Sequence, residues 1–250
     1  MSQTEEIVTA AILVIGDEIL SGRTKDKNIG YIAEHCTNIG IQVKEVRVVP
    51  DDENEIVSAV NALRARYNYV FTTGGIGPTH DDITADSIAK AFGVGIDHHP
   101  EVKRQLIESF TRRGVEVTAA RLRMARIPFT AELVENKVSV APGFMIGNVI
   151  VMAGIPAVMQ VMLDSVTPRL RTGKKMLSVA LEILRGEGEI AELFGEVQTE
   201  FPDVSMGSYP FNREARVFGT HLVLRSTDAA RLSAAEKRLK ERLSAKGVPF

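Results

Sequence analysis

Residue types that could do chemistry crowd into one stretch, Tyr69-Val70-Phe71-Thr72-Thr73-Gly74-Gly75-Ile76-Gly77-Pro78-Thr79-His80-Asp81-Asp82-Ile83-Thr84-Ala85-Asp86. It begins as an apolar strand, breaks at three glycines, and restarts as a helix expected near Asp82. Gly74, Gly75 and Gly77 let the backbone reach φ > 0 and approach a ligand closely. A helix start adds unpaired N–H groups and the positive end of a dipole. Together these are the parts of a phosphate site, with Thr73, Thr79 and Thr84 as further donors. The carboxylates Asp81, Asp82 and Asp86 would repel phosphate unless a cation lay between them, and Mg²⁺ is commonly held by one or two carboxylates plus phosphate oxygens. The structural alternative is a plain turn with Asp81 or Asp82 as N-cap and Asp86 in solvent.

The elements that must position this stretch follow from periodicity. The apolar run 7–15 reads as a strand buried on both faces. It ends in Gly16-Asp17-Glu18-Ile19-Leu20-Ser21-Gly22, a second glycine-bounded loop with two acids. A helix over 27–39 closed by Gly40, a strand over 42–49, and a helix capped by Asp51 or Asp52 with Ile56, Val57, Val60 and Leu63 inward lead back to the central strand. Strands alternating with helices predict an α/β fold, a three-layer, mostly parallel sheet with helices on both faces. Ligands in such sheets bind beyond the carboxyl ends of the strands, so the Gly16 and Gly74 loops face one site. Farther on, residues 99–125 read as helical with a break at Gly114, 138–140 and 148–152 as strands, and Pro156 as the first turn of a helix through Leu170. That last junction, Ala153-Gly154-Ile155-Pro156, is a third glycine-bearing turn. The basic run Arg112, Arg113, Arg121, Arg123, Arg126 reads as a solvated helix face, with phosphate contact as the alternative.

Composition bounds the class. The 250 residues are 44% hydrophobic and 25% charged, ordinary for a soluble protein of one or two domains. A net charge of −2 gives no field for nucleic acid or an anionic membrane. The single cysteine, Cys36, reads as a small core residue. The polar start and the lack of a membrane-length apolar run predict a cytoplasmic protein. His35, His80, His98, His99 and His221 have no zinc-like spacing, and Ser21 lacks a Gly-x-Ser-x-Gly setting.

Near Thr172 the pattern changes, which places a boundary between domains 1–171 and 172–250. The second reads strand (176–184), helix (189–200), strand (204–209), strand (217–226), helix (228–245), a small α+β KH-like order. It has no Gly-x-x-Gly pair and no basic excess, so a structural or dimer-forming role is expected rather than RNA binding.

The Gly74–Thr84 motif resembles the MoaB/Mog-type molybdopterin-binding domain, in the subgroup of the N-terminal domain of competence/damage-inducible CinA proteins. The likeness extends to Gly16–Gly22, to Asp26 with Asn28, to Ala141-Pro142-Gly143-Phe144, to Ala153–Pro156 with Met159 and Met162, and to Gly207-Ser208-Tyr209-Pro210. The family has Pro-Gly-Val-Pro at Ala153–Pro156 and Asn-Pro-x-Gly at Asn136–Ser139. The chain stops at Phe250, so the resemblance is to a stand-alone form without the deamidase domain. It implies metal-dependent hydrolysis of a nucleotide pyrophosphate, ADP-ribose first and FAD next, with Mg²⁺ or Co²⁺ and in some cases K⁺. The alternative is a molybdopterin- or nucleotide-binding module, or a molybdopterin adenylyltransferase-like role in cofactor synthesis. Asp17, Glu18, Asp81 and Asp82 would be catalytic, with Asp81 and Asp82 holding metal. Thr73, Gly74, Gly75, Gly77, Thr79, Thr84, Asn28, Gly154 and Pro156 would hold the nucleotide. A homodimer is expected, with a trimer as the alternative.

Overall fold

Strand β1 (Val8–Ile15) is apolar at every position but Thr9 because helices cover both its faces. The computed structural model describes residues 7–213 and 217–250 and divides into two units, Met1–Gly173 and Lys174–Phe250. In the first unit β1 pairs in parallel with β2 (Ile41–Val49) on one side and β3 (Tyr69–Thr73) on the other. Ala11, Leu13 and Ile15 point to one core, and Ala10, Ile12 and Val14 to the other, the period-2 alternation of a strand. The helices between strands are the short α1 (Asp17–Leu20), α2 (Asn28–Asn38) and α3 (Glu53–Arg66). Helix α4 (Thr84–Phe92) follows β3. It packs with α3 through Ile56, Val60, Leu63 and Ile88. Helix α2 packs on the opposite face through Ile32 and Cys36. Burial pushes the Cys36 thiol up to about 12, which keeps it an unreactive core group.

Beyond α4 the chain runs through β4 (Ile96–His98), α5 (Pro100–Arg112), α6 (Ala119–Leu122) and β5 (Arg126–Pro128), with β4 and β5 paired antiparallel. Gly114, at φ +65°, follows α5 as the expected break, and the helical stretch divides there into α5 and α6. Strands β6 (Glu132–Val134), β7 (Gly143–Ile146) and β8 (Val149–Met152) then complete a six-stranded sheet in the order β2-β1-β3-β8-β7-β6. Its first four strands are parallel; β7 runs antiparallel to both β8 and β6. Helix α7 (Pro156–Val166) closes the second core with Met159, Met162 and Leu163.

Two expectations are corrected. Residues 138–140 form no strand; the strand is β6, and Asn136 organises the loop after it. The Asn136 side chain accepts from the N–H groups of Val138 (3.0 Å) and Ser139 (3.1 Å) and donates to the Ala141 carbonyl (2.9 Å). These local bonds replace a ladder. Helix α4 starts at Thr84, so neither Asp81 nor Asp82 is its N-cap.

The second unit has the order β9 (Leu177–Ile183), α8 (Glu187–Glu200), β10 (Ser205–Arg213), β11 (Val217–Ser226), α9 (Ala229–Ala245). Its antiparallel sheet runs β10-β11-β9, and Leu181, Ile183, Leu222 and Leu224 bury against Ile190, Val197, Leu239 and Leu243. Among the described residues no helix is long and apolar enough to cross a membrane.

Of the two candidate caps on α3, Asp52 carries the role, accepting from the N–H groups of Asn54 (2.8 Å) and Glu55 (3.1 Å). Asp52→Ala should lower stability by about 1 kcal/mol in urea unfolding, whereas Asp52→Asn should leave it nearly unchanged.

Candidate functional site

The carboxyl ends of β1, β3 and β8 meet with their backbones in contact. The Gly74 N–H donates to the Met152 carbonyl at 3.2 Å. A Cβ on Gly74, which sits at φ +106°, would lie 2.1 Å from the Ile15 carbonyl oxygen. Gly154 presses on Gly74 from the other side, where a Cβ would meet the Gly74 Cα at 3.3 Å. Gly75, at φ +66°, leaves room for Thr84, whose hydroxyl a Cβ there would overlap. The buried Thr84 holds the loop: its hydroxyl donates to the Gly74 carbonyl (3.0 Å) and its N–H to the Gly75 carbonyl (3.0 Å). Among the described residues no protein acceptor meets the N–H groups of Gly75, Ile76 or Gly77. The loop therefore presents three free donors, while the Gly74 N–H belongs to the sheet.

One side of the loop opens on a cleft of about 230 Å³. Its walls include Glu18, Ile19, Lys25 and Asp26, and its floor Asn28, Thr73, Gly74, Gly154 and Pro156. Two floor residues are polar and buried, Thr73 at 1% exposure and Asn28 at 4%. The Asn28 amide donates to the Gly154 carbonyl at 2.8 Å, which fixes its orientation. Its Oδ1 is then left without a partner. The Thr73 hydroxyl also meets no protein partner among the described residues. Asp26 is engaged, accepting from the N–H groups of Asn28 (3.1 Å) and Ile29 (2.8 Å) in the first turn of α2. Pro156 begins α7, where a missing N–H is harmless.

The other side is closed. Asp82 accepts from both the N–H (2.8 Å) and the hydroxyl (2.5 Å) of Thr79, stapling residues 79–82. Arg123 Nη2 donates to the Asp82 carbonyl at 3.1 Å. Arg126 ion-pairs with Asp86. The expectation of Asp86 in solvent is therefore corrected, and two members of the basic run brace the loop instead of facing water. A hollow of about 20 Å³, room for one water, remains among Gly75, Gly77, Asp82, Asp86, Arg123 and Arg126. The tertiary fold brings Glu18, Asn28, Thr73, Gly74, Gly154 and Pro156 to one cleft, and sets Asp82 and Asp86 on the braced side.

A further carboxylate joins the acids. Asp51, at the end of β2, accepts the Asp17 N–H at 3.0 Å. Burial first, then the charges of Asp17, Glu18 and Asp81, raise its carboxyl above its ordinary value, against the Asp17 hydrogen bond. The Gly16 and Gly74 loops are thus within electrostatic reach of each other. The sequence reading missed Asp51 by treating it as a rival cap; the only signal was that one of two adjacent acids is left over. Among the described residues no three His, Cys, Asp or Glu side chains converge as a cation cage. With Asp82 bonded to Thr79, the protein groups alone do not fit a divalent ion at Asp81 and Asp82; one would need ligand oxygens as well.

This geometry defines an open α/β domain with three glycine junctions gathered beyond its parallel strands. Residues 11–172 match the family described as "Probable molybdopterin binding domain", and residues 175–249 match "FAD synthase, middle domain". The chain belongs to the molybdopterin-binding-domain family over its first unit. A Pyrobaculum arsenaticum protein is 33% identical over 94% of this chain and 92% of its own length. An Archaeoglobus fulgidus protein is 34% identical over 80% of this chain and 84% of its own length. The crystal structure of CinA from Thermoplasma acidophilum, described as of unknown function, is similar at 32% identity and a TM-score of 0.59, covering 64% of this chain and 96% of that one. The resemblance to MoaB/Mog-type, CinA-like proteins and the α/β fold it implied are met.

Asp51 supplies a pH test. A carboxyl raised in the folded state costs stability once the pH climbs through the carboxylate range, and costs nothing well below its ordinary value of 3.8. Asp51→Asn should therefore raise the melting temperature at pH 7, and the gain should shrink as the pH falls toward 3. A gain independent of pH would show that the charge is not the cause.

Proposed function

We propose that the first unit binds a phosphorylated pterin or nucleotide, with the phosphate on the Gly75–Gly77 donors and the heterocycle in the adjoining cleft. The observation that carries this reading is the cleft floor: among the described residues the buried Asn28 Oδ1 has no protein partner, and the hydroxyl of the neighbouring Thr73 is not bonded to the protein either. A buried acceptor such as Asn28 Oδ1 is costly unless something supplies the missing bond. The Gly75, Ile76 and Gly77 N–H groups, which follow Gly74 in the chain and meet no protein acceptor among the described residues, suit an anion. Family membership supports a pterin-type ligand. Gly74 shapes the loop, Thr84 holds it, and Gly154 and Pro156 complete the floor of the cleft. In this role Thr79 acts through Asp82, fixing the loop instead of touching the ligand.

The test is binding of molybdopterin, ATP and ADP-ribose to the intact protein by calorimetry, with and without Mg²⁺. Saturable binding is expected. Thr73→Val keeps the shape and removes the hydroxyl, so affinity should fall by roughly 2- to 10-fold with melting little changed. No binding of any of the three would overturn the reading.

A second reading, hydrolysis of a nucleotide pyrophosphate such as ADP-ribose, is favoured by the acids at the strand ends: Asp51 accepts the Asp17 N–H, and the charges of Asp17, Glu18 and Asp81 act on it. A phosphate entering there would bring Mg²⁺ or Co²⁺, with K⁺ as an added ion, and Asp81 is the exposed carboxylate of its loop. The metal would polarise the anhydride, and Asp17 or Glu18 would orient water. AMP release from ADP-ribose with Mg²⁺ or Co²⁺ is the outcome expected of this reading. Ligand binding without release would sink it and leave the first reading standing.

The second unit is proposed to self-associate. Its helices pack on one face of the sheet, while Tyr209, 49% exposed, and the tilted ring pair Phe211–His221 lie on β10 and β11. Light scattering should give a dimer mass; a monomer at micromolar concentration would refute it, and a trimer would favour the alternative assembly.

A further inference from the structure

The segment from α5 to β5 carries six arginines, and four of them are bonded. Arg104 pairs with Glu101 and Glu108. Arg121 donates to the Glu116 carbonyl, Arg123 to the Asp82 carbonyl, and Arg126 pairs with Asp86. Arg112 and Arg113 are the exceptions: among the described residues neither guanidinium meets an acceptor, and they are adjacent. Both line a cleft of about 830 Å³ between α5 and the loop after β6. That size is in the range of small-molecule sites.

The cleft has the other parts of a binding site. Val102, 1% exposed, and the partly buried Leu133 and Val140 line it. Val138 is 59% exposed beside it, an apolar group left to water. The wall is rigid because both ends of the Asn136 amide are engaged within the loop. The two lining acids are committed, Glu108 to Arg104 and Glu135 to Lys137 at 3.9 Å. The unpaired charge over the cleft is therefore positive. A favourable helix dipole accounts for one arginine at the end of α5. It does not account for an apolar-walled cleft beneath two. The cleft shares no lining residue with the Gly74 cleft.

We propose that this is a second, separate binding site, for a small organic anion: an apolar or aromatic body against Val102, Val138 and Val140, and a phosphate or carboxylate on Arg112 and Arg113. Guanidinium forks suit both anions through paired N–H bonds. The site is independent of the ligand proposed for the Gly74 loop.

The experiment is methyl NMR of the full chain titrated with phenyl phosphate and, in a parallel arm, benzoate. The Val138 and Val140 methyls should shift and saturate. In the double variant Arg112→Gln, Arg113→Gln the apparent affinity should fall by about 10-fold or more. Melting should be unchanged, since neither side chain has a protein partner. Thr73→Val should leave these shifts as they are. Saturation by one anion and not the other supports the site and names its head group. Shifts that do not saturate, or that survive the double variant, would overturn the proposal. Shifts lost in Thr73→Val would assign the binding to the Gly74 cleft and overturn it too.

Discussion

The contact on which the first unit depends is the close approach of three strand ends. Gly74 sits between the Ile15 carbonyl, which leaves no room for a Cβ, and Gly154, whose own missing Cβ lets the turn after β8 lie against it. A sheet spacing of about 4.8 Å ordinarily keeps neighbouring backbones apart. Here the chain leaves β3 and crosses the end of β1, and only a residue without a side chain, at φ +106°, makes that crossing. With Gly74 in that place its N–H completes the bond to Met152 and its carbonyl takes the Thr84 hydroxyl. The following N–H groups are left pointing away from the protein's own acceptors.

The Gly74 loop therefore has two unlike sides. One faces a cleft whose buried polar floor lacks partners. The other is tied down by the Thr79–Asp82 staple and by Arg123 and Arg126. A loop that binds an anion through backbone donors must hold them in place before the ligand arrives, since ordering them at binding would subtract from affinity. The braced side does that. It also accounts for two carboxylates of the loop: Asp82 is hydrogen-bonded by the Thr79 hydroxyl and amide, and Asp86 is paired with Arg126. Only the charge of Asp86 is balanced by a cation of the protein itself.

The remaining acids behave differently. Asp51 is pushed up by burial and by three neighbours, and among the described residues no protein cation is bonded to it. Charge of one sign together with free N–H donors is an arrangement whose two halves suit opposite partners, an anion and a cation. That is the physical content shared by the binding and the hydrolytic readings.

Much of this was legible in order along the chain. Near-continuous apolar character in β1, alternation of strands and helices, Gly40 after α2 and Pro156 at the head of α7 each follow from local sterics or burial, which adjacent residues determine. The three glycine junctions, and the change of pattern near Thr172, were visible for the same reason. Residues distant in sequence decided the rest. That Asp86 finds Arg126, that Arg123 finds the Asp82 carbonyl, and that Thr84 turns inward to Gly74 depend on where the 119–126 segment returns to the sheet, which no local pattern encodes. The same holds for Asp51 and Asp52, adjacent and alike in type: one caps α3, and the other lies against Asp17 because β1 and β2 end side by side. The sequence by itself determined which residues could serve a phosphate site. Tertiary structure decided which donors and acceptors were left over for a ligand, because a hydrogen-bonding group is free only after every group the fold brings near it has taken its share.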